Sequence, residues 1–181
     1  VAANRTQAPV ATGPVPVWHV GDSRDIGRIA PGAYDMVFSC PPYADLEVYS
    51  DDPADLSTLP YETFRRDYAA IIAATCALLK PDRFACFVVG EVRGKDGAYY
   101  GLVPDTIAAF RQAGLRFYNE AILVTAAGSL PIRAGKQFRA GRKLGKTHQN
   151  VLTFVKGDPK RAAQACETKP AEQLSILDIA S

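Results

Sequence analysis

The sequence predicts an α/β fold of the doubly wound kind, a mostly parallel sheet finishing in an antiparallel strand pair. Three observations carry that expectation. The run Met36-Val37-Phe38 is apolar without alternation, as in a short strand buried on both faces, and it runs into Pro41-Pro42. Proline lacks a backbone N–H and fixes φ, so the pair ends the ladder and stiffens the turn after it. Second, apolar residues at Tyr61, Phe64, Tyr68, Ile71, Ile72, Cys76 and Leu79 recur at helical spacing. Third, the order strand–helix–strand–helix–strand–strand is that of a doubly wound sheet with a reversed end.

Taken in order, residues 1–8 read as the last turns of a helix and 9–16, with three prolines and a glycine, as a connector. Residues 15–20 predict a strand, with Gly21-Asp22-Ser23 as its exit turn. A short helical turn over 24–29 is closed by Pro31-Gly32, and the strand over 34–39 follows. The acidic segment 44–57 holds Asp45, Glu47, Asp51, Asp52 and Asp55 without periodicity and reads as a loop. The long helix is expected over 60–79 with Ser57 or Thr58 as N-cap. Lys80-Pro81-Asp82 should stop it, before a fully buried strand over 83–89. A second helix is expected over 104–113, with Pro104 at its first position and Gly114 after its end. Strands over 115–125 and 150–155 flank a basic segment, and 158–181 reads as a polar tail after a domain of residues 1–157.

Charge is concentrated. Between Ser129 and His148 stand Arg133, Lys136, Arg139, Arg142, Lys143 and Lys146 with no acidic residue, so the rest of the chain is net acidic. Such a segment suits phosphate contact better than a solvated loop, which usually mixes signs. Cys40, Cys76, Cys86 and Cys166 show no Cys-x-x-Cys spacing and do not cluster with the two histidines. That speaks against a zinc site or a disulfide framework and for reduced cytosolic thiols. No apolar run reaches the length of a membrane span. A cytoplasmic protein without membrane partner is the expectation.

The strand ending in Cys40-Pro41-Pro42-Tyr43 resembles motif IV of the amino-group DNA methyltransferases, whose signature is Asp, Asn or Ser, then Pro-Pro and an aromatic. Gly21-Asp22-Ser23 sits where that family has the acidic turn meeting the cofactor adenine. Tyr61, Phe64 and Leu79-Lys80-Pro81 resemble the helix after motif IV, and Lys146 to Gly157 resembles the terminal strand. The resemblance covers roughly residues 15 to 157. It implies a Rossmann-like S-adenosylmethionine-dependent methyltransferase fold and methylation of an exocyclic amino group in double-stranded DNA. Adenine N6 is favoured over cytosine N4. The alternatives are an RNA or protein-glutamine methyltransferase of the same fold, or a non-catalytic DNA-binding fragment.

The chemistry suits those residues. An exocyclic amino nitrogen is a poor nucleophile because its lone pair is delocalised into the ring. Acceptors for its N–H groups turn the lone pair toward the methyl donor, and positioning of this kind can supply several kcal/mol. The resemblance places Cys40, Pro41, Pro42 and Tyr43 at the catalytic site, with the Pro41 carbonyl as acceptor and Tyr43 stacking on an extruded base. Asp22 and Ser39 are expected to bind the cofactor; Arg133, Lys136, Arg139, Arg142, Lys143 and Lys146 are expected to contact DNA. Cys40 departs from the family pattern, because a thiol is a weak acceptor. Ser39 could replace it only with a shifted turn. Making Cys40 a nucleophile, as in cytosine-C5 enzymes, fits less well, since those carry the cysteine after the proline. Glu91 is a candidate rim residue, and Phe138 could wedge, stack or anchor its loop.

Such an enzyme also needs a glycine-rich turn after its first strand, and the chain contains no Gly-x-Gly. The expectation is a fragment whose first two strands lie upstream of Val1, with a homo-oligomer or another chain supplying the missing strands.

Overall fold

In the computed structural model, residues 16–46, 48–126, 128 and 130–166 are described. The readings for 1–8, most of the connector and the end of the tail fall outside them. The elements are α1 (Ile26–Ile29), β1 (Tyr34–Ser39), α2 (Tyr61–Leu78), β2 (Leu79–Val89), α3 (Leu102–Gln112), β3 (Arg116–Val124), α4 (Leu130–Gly141), β4 (His148–Lys156) and α5 (Pro159–Ala165). Short 3-10 turns lie at Ser23–Asp25, Ala44–Leu46 and Leu56–Thr58.

The four strands form one sheet in the order β1-β2-β4-β3. β1 runs parallel to β2, while β4 is antiparallel to both β2 and β3. β1, β2 and β3 therefore share one direction, and β4 alone is reversed and inserted between the last two. This is the α/β sheet with an antiparallel end that the sequence predicts, although among the described strands only the β1–β2 pairing is parallel. Because β4 runs backwards, its first residues, His148 and Gln149, lie at the edge where β1 and β2 finish.

α2 buries Phe64, Tyr68, Ile72 and Cys76, one residue in four along a single stripe, against the sheet. α3 adds Leu102, Thr106, Ala109 and Phe110. These meet Ala85, Phe87, Val89, Leu152 and Phe154 from the central strands, with the Phe110 and Phe154 rings stacked 3.9 Å apart between centroids. Buried polar groups in this core are paired: Tyr68 Oη lies 3.2 Å from Thr106 Oγ1, which donates to the Leu102 carbonyl. Burial also pushes the Cys76 thiol up to about 11. α5 packs on β2 and β4, burying Ala162.

Several local expectations are corrected. Residues 16–20 form no strand and are exposed, because no described strand lies beside them to share backbone hydrogen bonds. Met36 and Phe38 are 57% and 62% exposed, so β1 is covered on its Val37 face only. The N-cap of α2 is Pro60; Asp55, through its side chain, caps the 3-10 turn before it. Lys80-Pro81-Asp82 does not separate helix from strand, since α2 passes directly into β2. The irregularity is absorbed as a bulge: Tyr34 pairs with Leu79 but Met36 with Phe84, and Asp82 sits at φ +55°. α3 starts two residues before Pro104, after Gly101, whose φ of +93° suits glycine.

Candidate functional site

The carboxyl end of β1 is where the sequence places its chemistry. Ser39 is the last ladder residue, paired with Phe87, and Cys40 leaves the sheet exposed. Pro41 and Pro42 end the pairing. Tyr43 then folds back half-buried, and Ala44, fully buried at φ +51°, turns the chain away. A non-glycine residue at positive φ carries strain of about 1 kcal/mol, held here by burial.

Tyr43 is locked. Its Oη donates to the Val88 carbonyl at 3.4 Å and accepts from Gln149 Nε2 at 2.6 Å, while the ring lies against Gly90. Burial, then the nearby Cys40 thiol, raises the phenol above its ordinary range, against the hydrogen bond from Gln149. Cys40, Pro41, Tyr43, Leu46, Tyr49 and Gln149 line a cleft of about 380 Å³. That is a size that admits a flat heterocycle. Leu46, Tyr49 and Gln149 were not singled out in the sequence. Gln149 lies 106 residues from Tyr43, so no local signal could join them.

A second cleft, of about 500 Å³, opens on the other side of the same turn. Its lining includes Pro42, Gly21, Asp22, Asp52, Asp55 and Ile71. Asp22 caps the Ser23–Asp25 turn by accepting the Arg24 N–H at 2.9 Å, and the Arg24 guanidinium grips the carboxylate at 2.7 Å. Arg24 also bonds Asp67 and the Ala54 carbonyl, tying this turn to α2 and the acidic segment. The Arg24 hydrogen bonds hold Asp22 below the usual carboxylate range, and the Ser57 N–H does the same for Asp55. Both are ionised at neutral pH, and the cleft is acidic.

The turn thus brings Cys40, Pro41 and Tyr43 together on one side and Pro42 with Asp22 on the other. Ser39 lines neither cleft. Glu91 is no rim residue free for ligands: its carboxylate accepts the N–H groups of Gly101, Leu102 and Val103 at 3.0–3.2 Å, capping α3. Among the described residues no three His, Cys, Asp or Glu side chains converge as a metal site, and no helix is long and apolar enough to cross a membrane.

The basic segment is largely helical rather than a loop. Arg133, Lys136 and Arg139 recur every three residues along α4, which buries none of its residues. Arg142 follows at φ +54°, its guanidinium 5.2 Å from the centroid of the Phe138 ring. Among the described residues none of the six cations forms an ion pair. The segment leads through Lys146 directly into His148 and Gln149, so its end lies within about 10 Å of the first cleft by chain length.

No family model matches this sequence, and no curated protein matches it. Solved structures do. TTHA0409 of Thermus thermophilus, assigned as a DNA modification methylase, aligns at a TM-score of 0.57 and 21% identity over 85% of this chain and 56% of its own. Its complex with S-adenosyl-L-methionine gives 0.56 and 22%, over 85% and 58%. The cytosine-N4-specific PvuII DNA methyltransferase gives 0.53 and 13%, over 75% and 47%. The chain spans little more than half the length of TTHA0409. The described residues carry the Rossmann-like α/β fold of these methyltransferases.

Proposed function

We propose that this chain carries the target-base half of an S-adenosylmethionine-dependent DNA methyltransferase acting on an exocyclic amino group. The observation that carries this reading is the Pro41-Pro42-Tyr43 turn, which ends a parallel strand and separates two clefts. Open α/β sheets bind ligands at the carboxyl ends of their strands. A half-buried ring beside one cleft offers a fixed face to an extruded base, and base stacking of this kind is worth about 1–3 kcal/mol. The Pro41 carbonyl has no hydrogen-bond partner among the described residues, and Pro41 lines this cleft.

The second cleft fits the adenosine end of the cofactor. Asp22, Asp52 and Asp55 give it the negative lining that a positively charged sulfonium compound favours, and Val20, Leu56 and Ile71 give an apolar wall. S-adenosylmethionine supplies a methyl carbon on a positively charged sulfur, which leaves as a neutral thioether when an amino nitrogen takes the methyl. This chain's own residues would orient that nitrogen: Pro41 by accepting one N–H, Tyr43 by holding the base plane. Asp22 stays in this reading as a cofactor residue, and Ser39 does not, because it lines neither cleft.

α4 and the loop after it supply the phosphate contacts to double-stranded DNA. Six cations that form no ion pair among the described residues, on a segment whose end leads into the first cleft, favour DNA over a protein substrate. The intact natural protein, given radiolabelled S-adenosylmethionine and unmethylated genomic DNA, should label the DNA. Digestion to nucleosides with mass spectrometry then separates N6-methyladenine from N4-methylcytosine. Label in RNA or protein but not DNA would replace this reading with another methyltransferase, and no label at all would end it.

A further inference from the structure

An amino group has two N–H donors, and the first cleft needs two acceptors to orient it. Pro41 offers one. The side chain before it is Cys40, a weak acceptor, so the second must come from elsewhere.

Gln149 borders the same cleft. The Tyr43 hydroxyl donates to the Val88 carbonyl at 3.4 Å, and its oxygen accepts from Gln149. Gln149 presents Nε2 to Tyr43, at 2.6 Å. Its Oε1 then points away from the tyrosine and has no hydrogen-bond partner among the described residues. One chain of bonds, Gln149 to Tyr43 to Val88, holds both the stacking ring and the free carbonyl.

Resting on the base-site reading above, we infer that Gln149 Oε1 is the second acceptor for the target amino group, taking the place Cys40 fills poorly. The two oxygens, Gln149 Oε1 and Pro41 O, then select bases that present an amino group and repel a base presenting a carbonyl there. Adenine and cytosine satisfy the pair; thymine, with a carbonyl at that edge, does not. Gln149 reaches the site only because β4 is reversed, which starts that strand at the rim where β1 ends.

The test is binding of the intact protein to duplexes in which one extrahelical base stands opposite an abasic site. Adenine is compared with purine, and cytosine with pyrimidin-2-one; the second of each pair lacks the amino group. The unchanged protein should bind the amino-bearing member about tenfold more tightly, the worth of two modest hydrogen bonds. Gln149→Met should lower that preference to about threefold, the share left to Pro41, and weaken the analogues less than the amino-bearing bases. Gln149→Glu, which keeps an acceptor, should retain the preference. Equal weakening of both members by Gln149→Met would mean that Gln149 merely holds Tyr43 and would overturn the inference, as would absence of any preference in the unchanged protein. If Gln149→Met fails to fold, Gln149→Glu decides: preference lost in a folded variant overturns the inference. Methyl transfer is scored separately. Base preference without transfer sinks the methyltransferase reading alone, and transfer without amino preference sinks the role of Gln149 alone.

Discussion

Glu91 Oε2 accepts the backbone N–H of Leu102 at 3.1 Å, and with its neighbouring bonds to Gly101 and Val103 this carboxylate closes the amino end of α3. The first N–H groups of a helix have no internal partner, and Gly101 has no side chain to provide one. A residue from the end of β2 does so instead, fastening α3 to the sheet edge beside the site. Replacing Glu91 with Ala should cost about 1–2 kcal/mol, read as a lower urea midpoint at unchanged slope. Glu91→Gln, which keeps one acceptor oxygen, should cost less. A Glu91→Ala change below about 0.5 kcal/mol would show that water replaces the cap.

Acid should weaken the fold through its depressed carboxylates, Asp35 and Asp82 among them. Asp82 is held below its ordinary range first by the Asp158 N–H and then by Arg161; Asp35 is held down by Lys80 and then Arg83. A folded-state value below the unfolded 3.8 means that the stability these groups add is complete above about pH 5. It is lost as pH falls through the lower folded values. Thermal midpoints should be level near neutrality and decline below about pH 4, and the decline should be shallower in Asp35→Asn/Asp82→Asn. Added salt should narrow the difference, since both pairs border solvent. An identical acid limb in the double variant would remove these two groups as its cause.

Cys40→Ser should be neutral for folding, within about 0.5 kcal/mol, because the side chain is exposed. It should also retain methyl transfer, since a hydroxyl accepts hydrogen bonds at least as well as a thiol. Transfer that falls to background in a folded Cys40→Ser protein would instead make Cys40 the nucleophile.

Reversing Arg139, Arg142 and Lys143 to Glu should weaken DNA binding and flatten its salt dependence. Each lost phosphate contact lowers the logarithmic slope by about 0.9, so a change of roughly 2–3 is expected. The thermal midpoint should move little, because α4 buries no residue. A slope that stays put in a folded triple variant would place the DNA surface elsewhere.

Local patterns foretold much of this architecture. The stripe of Phe64, Tyr68, Ile72 and Cys76 announces α2 because a helix returns each fourth residue to one face. Pro41-Pro42 marks the end of β1 because proline cannot continue a ladder. α4 was hidden for the converse reason: it buries nothing, so its sequence shows charges and glycines instead of an apolar stripe. Residues 16–20 look like a strand by composition, yet a strand exists only beside another.

By itself, then, the sequence determined the fold class, the order of β1, α2, β2, α3, β3 and β4, and the turn that carries the candidate chemistry, all set by periodicity and backbone restriction over a few residues. Tertiary structure alone decided the insertion of reversed β4, the capping of α3 by Glu91, and the meeting of Gln149 with Tyr43 across 106 residues. Those depend on which surfaces pack together, and packing joins residues that no local spacing connects.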